Sequence, residues 1–314
     1  MLMEMVIVCI IKNQGGFKMA LIPDNIEKIF YEHPNIGRDE LAKKADIPNQ
    51  KARFYTTLYK EIHKNKANIA KRGIALFDIH YPEHNKSCIN VAFKFMKDFK
   101  PDYLVLAGDQ MDFGCISHFN KGKYRLLENK RLKKDYNGFQ ADILDKIEEI
   151  APQNCKKYFM IGNHEYWVDR LVDDNAQLEG LVEVELNLNL TDYKIVPFNK
   201  TLTIGEMNFI HGIWTNKYHA EKNVRVYNKN IFSGHIHTNQ IFTVVSPINS
   251  LPRQGVSVGC LCDKNMDYMH EKPSAWVHQF MYWYELGDKT FRYYLVTIIN
   301  GIAVINGKLY NGNE

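Results

Sequence analysis

The chain reads as an α/β protein carrying a small helical module at its N-terminal end. Three observations lead there: apolar residues at helical spacing from residue 24 to about 66, short apolar runs alternating with helical stretches after Lys71-Arg72-Gly73, and a strand-dominated pattern after Gly255. The composition is globular. Of 314 residues 45% are hydrophobic and 24% charged, which at roughly 150 residues per domain suits one large or two unequal domains and excludes disorder or a collagen-like repeat. Lys and Arg number 40 against 36 Asp and Glu, a formal net charge of +4, so a uniformly basic coat is excluded while a local basic patch is not. No apolar run approaches the roughly 18 to 20 residues of a membrane-spanning helix. The stretch 5–11 is too short, and Glu4 stands where a signal peptide would carry positive charge. A soluble, cytoplasmic protein is expected. The six cysteines, Cys9, Cys88, Cys115, Cys155, Cys260 and Cys262, form no CxxC pair and read as reduced thiols.

Taken in order, Leu21-Ile22-Pro23-Asp24 reads as a helix entry, which leaves two starts open, Met1 or Met19, with residues 1–18 as a non-native or disordered extension. The module then occupies 19–70. Its first helix carries Ile26, Ile29 and Phe30 and breaks at His33-Pro34-Asn35-Ile36-Gly37. A second covers 38–45 and ends in Asp46-Ile47-Pro48-Asn49; a third covers 50–64 with Ala52, Tyr55, Leu58 and Ile62 on one face. Residues 40–47 are similar to the first helix and turn of a helix-turn-helix, with Ala42 at the small contact position and Ile47 as the apolar turn residue. Between Arg38 and Arg72 ten Lys and Arg face four Asp and Glu, a balance of +6 that exceeds the charge of the whole chain. Lys51, Arg53, Lys60 and Lys64 are therefore expected nucleic-acid contacts, and a protein-contact module with a solvated charged face is the alternative.

The main domain is expected over 71–314, where apolar runs repeatedly end in polar residues that a core strand does not need. Residues 74–77 run into Asp78, 103–107 into Gly108-Asp109, 158–161 into Gly162-Asn163-His164, 208–210 into His211, and 231–233 into Gly234-His235. Helical stretches fall at 84–99 and 142–150. Beyond Gly255, residues 277–286, 290–299 and 303–305 read as consecutive antiparallel strands with turns at Gly287-Asp288 and Asn300-Gly301. The strand ends deliver Asp78, His80, Asp109, Asn163, His211, His235 and His237. Two carboxylates, four imidazoles and one amide make a nitrogen and oxygen donor set suited to Mn, Fe or Zn, and the lack of thiolate excludes the usual structural zinc site. Two cations about 3.5 to 4 Å apart, bridged by one carboxylate, hold a hydroxide between them and clamp an in-line displacement at phosphorus. Asp109, central in the order, is the expected bridge. Other histidines, among them His33, His63 and His118, read as ordinary core or surface residues.

Asp78-x-His80, Gly108-Asp109-x-x-Asp112, Gly162-Asn163-His164-Glu165, His211-Gly212 and Gly234-His235-x-His237 resemble, in order, the five motifs of the calcineurin-like metallophosphoesterase superfamily over about residues 72 to 260. That resemblance implies a two-sheet β-sandwich flanked by helices, with the metal site along one edge. It implies two divalent metal ions, manganese first with iron or zinc as alternatives, one held by Asp78, His80, Asp109 and His237, the other by Asp109, Asn163, His211 and His235. His164 would face the leaving-group oxygen as a general acid or donor, and the Asp112 carboxylate would orient it, fix its tautomer and raise its pKa.

Within the superfamily the chain departs from the protein Ser/Thr phosphatases, whose Gly-Asp-x-x-Asp-Arg-Gly has an arginine where Phe113 stands, so a dianionic monoester would lose a bidentate partner. The Asp-x-His opening and Phe113 are more similar to SbcD-type repair nucleases and bacterial phosphodiesterases. The tail Ser257-Val258-Gly259-Cys260-Leu261-Cys262, with Pro273-Ser274-Ala275-Trp276, resembles phage and prophage members. The implied substrate is a phosphodiester, in nucleic acid such as DNA or in a nucleotide, met in a bacterial or phage-infected cytoplasm. Lys121, Lys123 and Arg125 would track its backbone. The alternatives are a phosphomonoesterase acting on phosphoprotein or nucleotide, and a DNA-binding protein whose phosphoesterase domain is a scaffold.

Overall fold

Apolar residues at helical spacing build the first of two units, Met1–Ile69. The computed structural model describes residues 9–13, 16–20, 22–33, 36–67, 70–246, 251–266, 273–286 and 290–314. Strands β1 (Cys9–Asn13) and β2 (Gly16–Ala20) pair antiparallel, Cys9 opposite Ala20, so part of the stretch expected to be disordered forms a hairpin. The apolar residues around Ile10 and Ile11, too few for a membrane span, supply one of its strands. Helices α1 (Asp24–Glu32), α2 (Arg38–Ala45) and α3 (Asn49–Ala67) follow. Ile26, Phe30, Ile36, Leu41 and Ala52 form their buried core, and Phe30 stacks on Tyr59 with ring centroids 4.0 Å apart. In α2, Asp39 and Glu40 occupy the first turn and Lys43 and Lys44 the last, each sign at the helix end whose dipole it offsets. Lys51, Arg53 and Lys60 are exposed on α3, which runs on to Ala67; the side chains of Ile62 and Lys64 lie outside the described residues.

The second unit, Ala70–Glu314, opens with β3 (Lys71–Leu76), α4 (Lys86–Phe99) and β4 (Tyr103–Leu106). Three short helices, α5 (Tyr124–Leu127), α6 (Leu132–Phe139) and α7 (Asp145–Ile150), lead to β5 (Lys156–Met160), α8 (Asn163–Asp174), α9 (Val184–Asn187) and β6 (Tyr193–Val196). Next come β7 (Leu202–Ile204), β8 (Met207–Ile210), α10 (His219–Tyr227), β9 (Asn230–Ser233), β10 (Gln240–Val244) and β11 (Arg253–Ser257). The chain closes with β12 (Gln279–Glu285), β13 (Phe291–Thr297), β14 (Ile302–Ile305) and β15 (Lys308–Asn311).

Six strands join in the order β13-β12-β3-β4-β5-β6, with β3 to β6 parallel, and five join in the order β10-β11-β9-β8-β7. Successive residues of β3 and β4 feed opposite faces. Ile74, Leu76, Leu104 and Leu106 pack on the helix side with Val91, Phe95 and Phe99 of α4, while Ala75, Phe77, Val105 and Ala107 pack against Phe209, Phe232 and Val256 of the second sheet. Burial on both faces is why these strands read as unbroken apolar runs. Helix α10 covers the outer side of the second sheet, where the Ala220 carbonyl fills the place a side chain at Gly255 would need. The two-sheet sandwich flanked by helices is thus the architecture observed.

Some elements differ from the sequence reading. Strands β6, β7, β10, β11 and β15 were not anticipated. Strand β14 meets the end of the preceding strand only at the antiparallel Ile299–Ile302 bridge across the Asn300-Gly301 turn (φ 51° and 73°), and its full pairing is with β15, across a second turn of the same kind at Asn306-Gly307 (51° and 79°). Two successive positive φ values suit the primed turns that match strand twist. The Gly287-Asp288 turn lies outside the described residues. Among the described residues no helix is long and apolar enough to cross a membrane.

Gly73 and Trp283 are cross-strand partners of β3 and β12, and the indole occupies the position a Cβ at residue 73 would take. Gly73→Ala should therefore cost about 1–3 kcal/mol through overpacking, lowering the melting temperature by several degrees in calorimetry. An unchanged midpoint would contradict this packing.

Candidate metal centre

The carboxyl ends of β3, β4, β5, β8 and β9 converge, and the chain turns sharply as it leaves β3, β4 and β9. Asp78, His80, Asp109, His235 and His237 all have positive φ, between 48° and 72°. Left-handed backbone at a residue other than glycine costs on the order of 1–3 kcal/mol and gathers where function over-determines the geometry. Glycines make room: the carboxylate of Asp109 stands where a side chain at Gly162 would be, and that of Asp78 where one at Gly234 would be.

Two groups of donors result. In one, the Nε2 atoms of His80 and His237 lie 3.1 Å apart, and His237 Nε2 is 3.3 Å from Asp78 Oδ1. In the other, His211 Nε2 is 3.1 Å from Asp109 Oδ2 and 3.0 Å from Asn163 Oδ1, and the donor atoms of Asp109, His211 and His235 all lie within 4.8 Å of one another. Asp109 Oδ2 also lies 3.8 Å from His80 Nε2, which places this carboxylate between the groups. All seven residues proposed from sequence are brought together.

The donor set fits a cation. Two imidazole nitrogens 3.1 Å apart require one proton or a positive ion between them, and Asp78 and Asp109, 0% and 1% exposed, are charges a protein interior does not hold unpaired. Burial alone would raise the Asp109 carboxyl, but His211 and His164 outweigh it and hold it well below the usual range. Burial alone would lower His211; the Asp109 carboxylate reverses this and lifts it to about 9.

His164, first turn of α8, stacks on Trp167 at 3.9 Å and presents Nε2 3.8 Å from Asp109 Oδ2. Its expected partner differs in kind. His164 Nδ1 meets the main-chain carbonyl of Asp112 at 2.6 Å, whereas the Asp112 carboxylate stands 3.8 Å away and turns toward His80 Nδ1 at 3.4 Å. The tautomer is set by a carbonyl rather than a carboxylate. Phe113, with φ 49°, points into the core against Tyr136 at 5.2 Å. Lys121, Lys123 and Arg125 are exposed around α5, and among the described residues the hydrogen bonds and ion pairs of the centre include none of them.

The sequence reading gave Glu165 no role. It is 1% exposed, and its carboxylate accepts N–H bonds from Asp109 (3.0 Å), Gln110 (2.8 Å), Met111 (3.0 Å) and Gly162 (2.8 Å), tying the loop after β4 to the start of α8. The signal available was a carboxylate three residues into a helix after Gly162, the place where an acidic side chain reaches back to free N–H groups.

No family model and no curated protein matches the chain. Solved structures do. It is similar to Vps29 from Entamoeba histolytica complexed with Zn²⁺ (12% identity, TM-score 0.39, covering 76% of this chain and 96% of that one) and to vacuolar protein sorting 29 from Cryptosporidium parvum (14%, 0.40, 77% and 95%). Vps29 from Chaetomium thermophilum is matched at 11% identity and a TM-score of 0.34, over 73% of this chain and 98% of that one. Likeness at this level adds nothing to the geometry above.

Because Asp109 keeps His211 protonated up to about pH 9, a cation taken up there must displace that proton. Binding at pH 7 should release at least one proton, and affinity should rise about tenfold per pH unit until it levels near pH 9. Calorimetric titration in buffers of different ionisation enthalpy counts the protons; none released would contradict the role of His211.

Proposed function

We propose that the chain is a metal-dependent phosphoesterase of the calcineurin-like kind that hydrolyses phosphodiesters, in nucleic acid or nucleotides. The observation that carries this reading is the position of Asp109, buried between two groups of nitrogen and oxygen donors. Asp78, His80, Asp109 and His237 would hold one divalent cation, and Asp109, Asn163, His211 and His235 a second. Manganese suits this set, with iron or zinc as alternatives. Bound there, the pair would supply Lewis-acid charge to a phosphoryl oxygen and lower the pKa of water.

The chain's own residues do the rest. His164 donates Nδ1–H to the Asp112 carbonyl, so Nε2 is the free edge, and in the imidazolium form its N–H would pass a proton to the departing oxygen. Stacking on Trp167 holds the ring in that pose. Phe113 lies in the core, so that position offers no guanidinium to grip a dianionic monoester, which favours a diester. Exposed Lys121, Lys123 and Arg125, and in the first unit Lys51, Arg53 and Lys60, suit the backbone of a polymeric substrate. The reading as a DNA-binding scaffold is the weaker one, because the donor set is complete.

With Mn²⁺, bis-p-nitrophenyl phosphate should turn over faster than p-nitrophenyl phosphate; a preference for the monoester would reverse the substrate assignment. Asp109→Asn should abolish turnover and cut metal content. His164→Gln should lower kcat by about 10² to 10⁴ with metal content unchanged, and Asp112→Asn, which keeps the carbonyl, should cost less. Metal loss from the His164 variant would show it to be a ligand.

A further inference from the structure

Cys260 and Cys262 were left by the sequence as unremarkable reduced thiols, and the donor set described above uses neither. Both are 0% exposed, two residues apart on the segment that follows β11, and extended chain sends alternate side chains to one side. They face His237. Its Nε2 edge looks toward Asp78 and His80, while Nδ1, on the opposite edge, has Cys262 Sγ at 3.8 Å. The second nitrogen of a ligating histidine ordinarily meets a carboxylate or carbonyl oxygen; here its neighbour is sulfur, a weak hydrogen-bond partner.

We propose that Cys260, Cys262 and His237 Nδ1 form a separate binding site for a divalent d¹⁰ cation of the zinc class, joined to the nitrogen and oxygen centre through the His237 ring. The donor atoms of the three residues lie within 4.8 Å of one another. Tetrahedral zinc with Zn–S about 2.3 Å and Zn–N about 2.0 Å separates a sulfur from a nitrogen by about 3.5 Å, close to the 3.8 Å observed. The scaffold is set before any ion arrives. Cys260 N–H donates to the Val277 carbonyl (2.9 Å), Val277 N–H to the His237 carbonyl (2.9 Å), and Leu261 N–H to the Asp78 carbonyl (3.1 Å), so the cysteines and the histidine are fixed to one another through main chain. Met266, 3% exposed, belongs to the same buried cluster as the two cysteines and adds a thioether to soft, water-poor surroundings. Two thiolates neutralise a divalent ion there, so no net charge is buried. On binding, Cys260 and Cys262 each give up a proton to solvent, and the His237 ring gives up its remaining N–H proton as well where Nε2 already holds a cation, since both nitrogens then act as donors; no oxidation step is involved.

Cd²⁺ is the probe. Full-length protein reduced with a phosphine, titrated with Cd²⁺, should develop a thiolate-to-cadmium charge-transfer absorption that saturates at one equivalent of sulfur-bound metal. Cys260→Ser and Cys262→Ser should each weaken the band and the double variant should lose it, while Cys115→Ser and Cys155→Ser keep it. No band in the wild type, or a full band in the double variant, would overturn the proposal. If the double variant fails to fold, ¹¹³Cd NMR of the wild type decides: a sulfur-ligated resonance beside those of nitrogen and oxygen sites is expected, and only the latter would overturn it.

Discussion

Keeping the carboxylates of Asp78 and Asp109 ionised inside the protein is the constraint on which the second unit depends. Even after relaxation, a buried ion costs several kcal/mol unless hydrogen bonds and opposite charge compensate it. The chain supplies both. Asp78 accepts the His235 N–H, at 3.0 Å to each oxygen, and Asp109 accepts the His164 N–H at 2.9 Å, so each carboxylate is tied to the loop that brings a partner imidazole. Glu165 fastens the other side, gathering N–H groups from both loops onto one carboxylate. Positive φ at five donor residues is the backbone cost of bending so many strand ends into so small a space, and the cores on either side of the six-stranded sheet hold the strands to that geometry.

What could be read from residues alone follows from the same constraint. A strand buried on both faces has no use for Asp or His at its end, so Asp78, Asp109, His211 and His235 stood out against apolar runs. Asn163 and His164 were legible because Gly162 precedes them where β5 gives way to α8. Contacts made by main chain were not legible. That a carbonyl rather than the Asp112 carboxylate meets His164 depends on the direction in which a turn presents its peptide groups, and side-chain identity does not encode that. The pairing of β14 with β15 had a local signal in Asn306-Gly307, whereas β6, β7, β10 and β11 are short or partly exposed and are defined by their neighbours in the sheets.

In the proposed reading, Phe113 links packing to substrate choice. Its side chain fills the core beside Tyr136, so the residue that would grip a terminal phosphate in the Ser/Thr phosphatase motif is spent on stability. Under the proposed activity, recognition would fall to whatever the substrate carries beyond the scissile phosphate, which would suit an ester with two substituents. His237 is the other shared element. Its two ring edges face chemically different surroundings, oxygen and nitrogen on one side and sulfur on the other, so occupancy on one side must influence the ring's proton and orientation on the other.

In the proposed function one carboxylate, Asp109, serves two cations at once. Electron paramagnetic resonance of the protein loaded with two equivalents of Mn²⁺ tests it most directly, because ions about 3.5 to 4 Å apart across a shared carboxylate are exchange-coupled. A coupled dimanganese signal in the wild type, replaced in Asp109→Asn by the six-line signal of isolated Mn²⁺ or by none, is the predicted result. Two uncoupled ions in the wild type, or coupling that survives in Asp109→Asn, would contradict it.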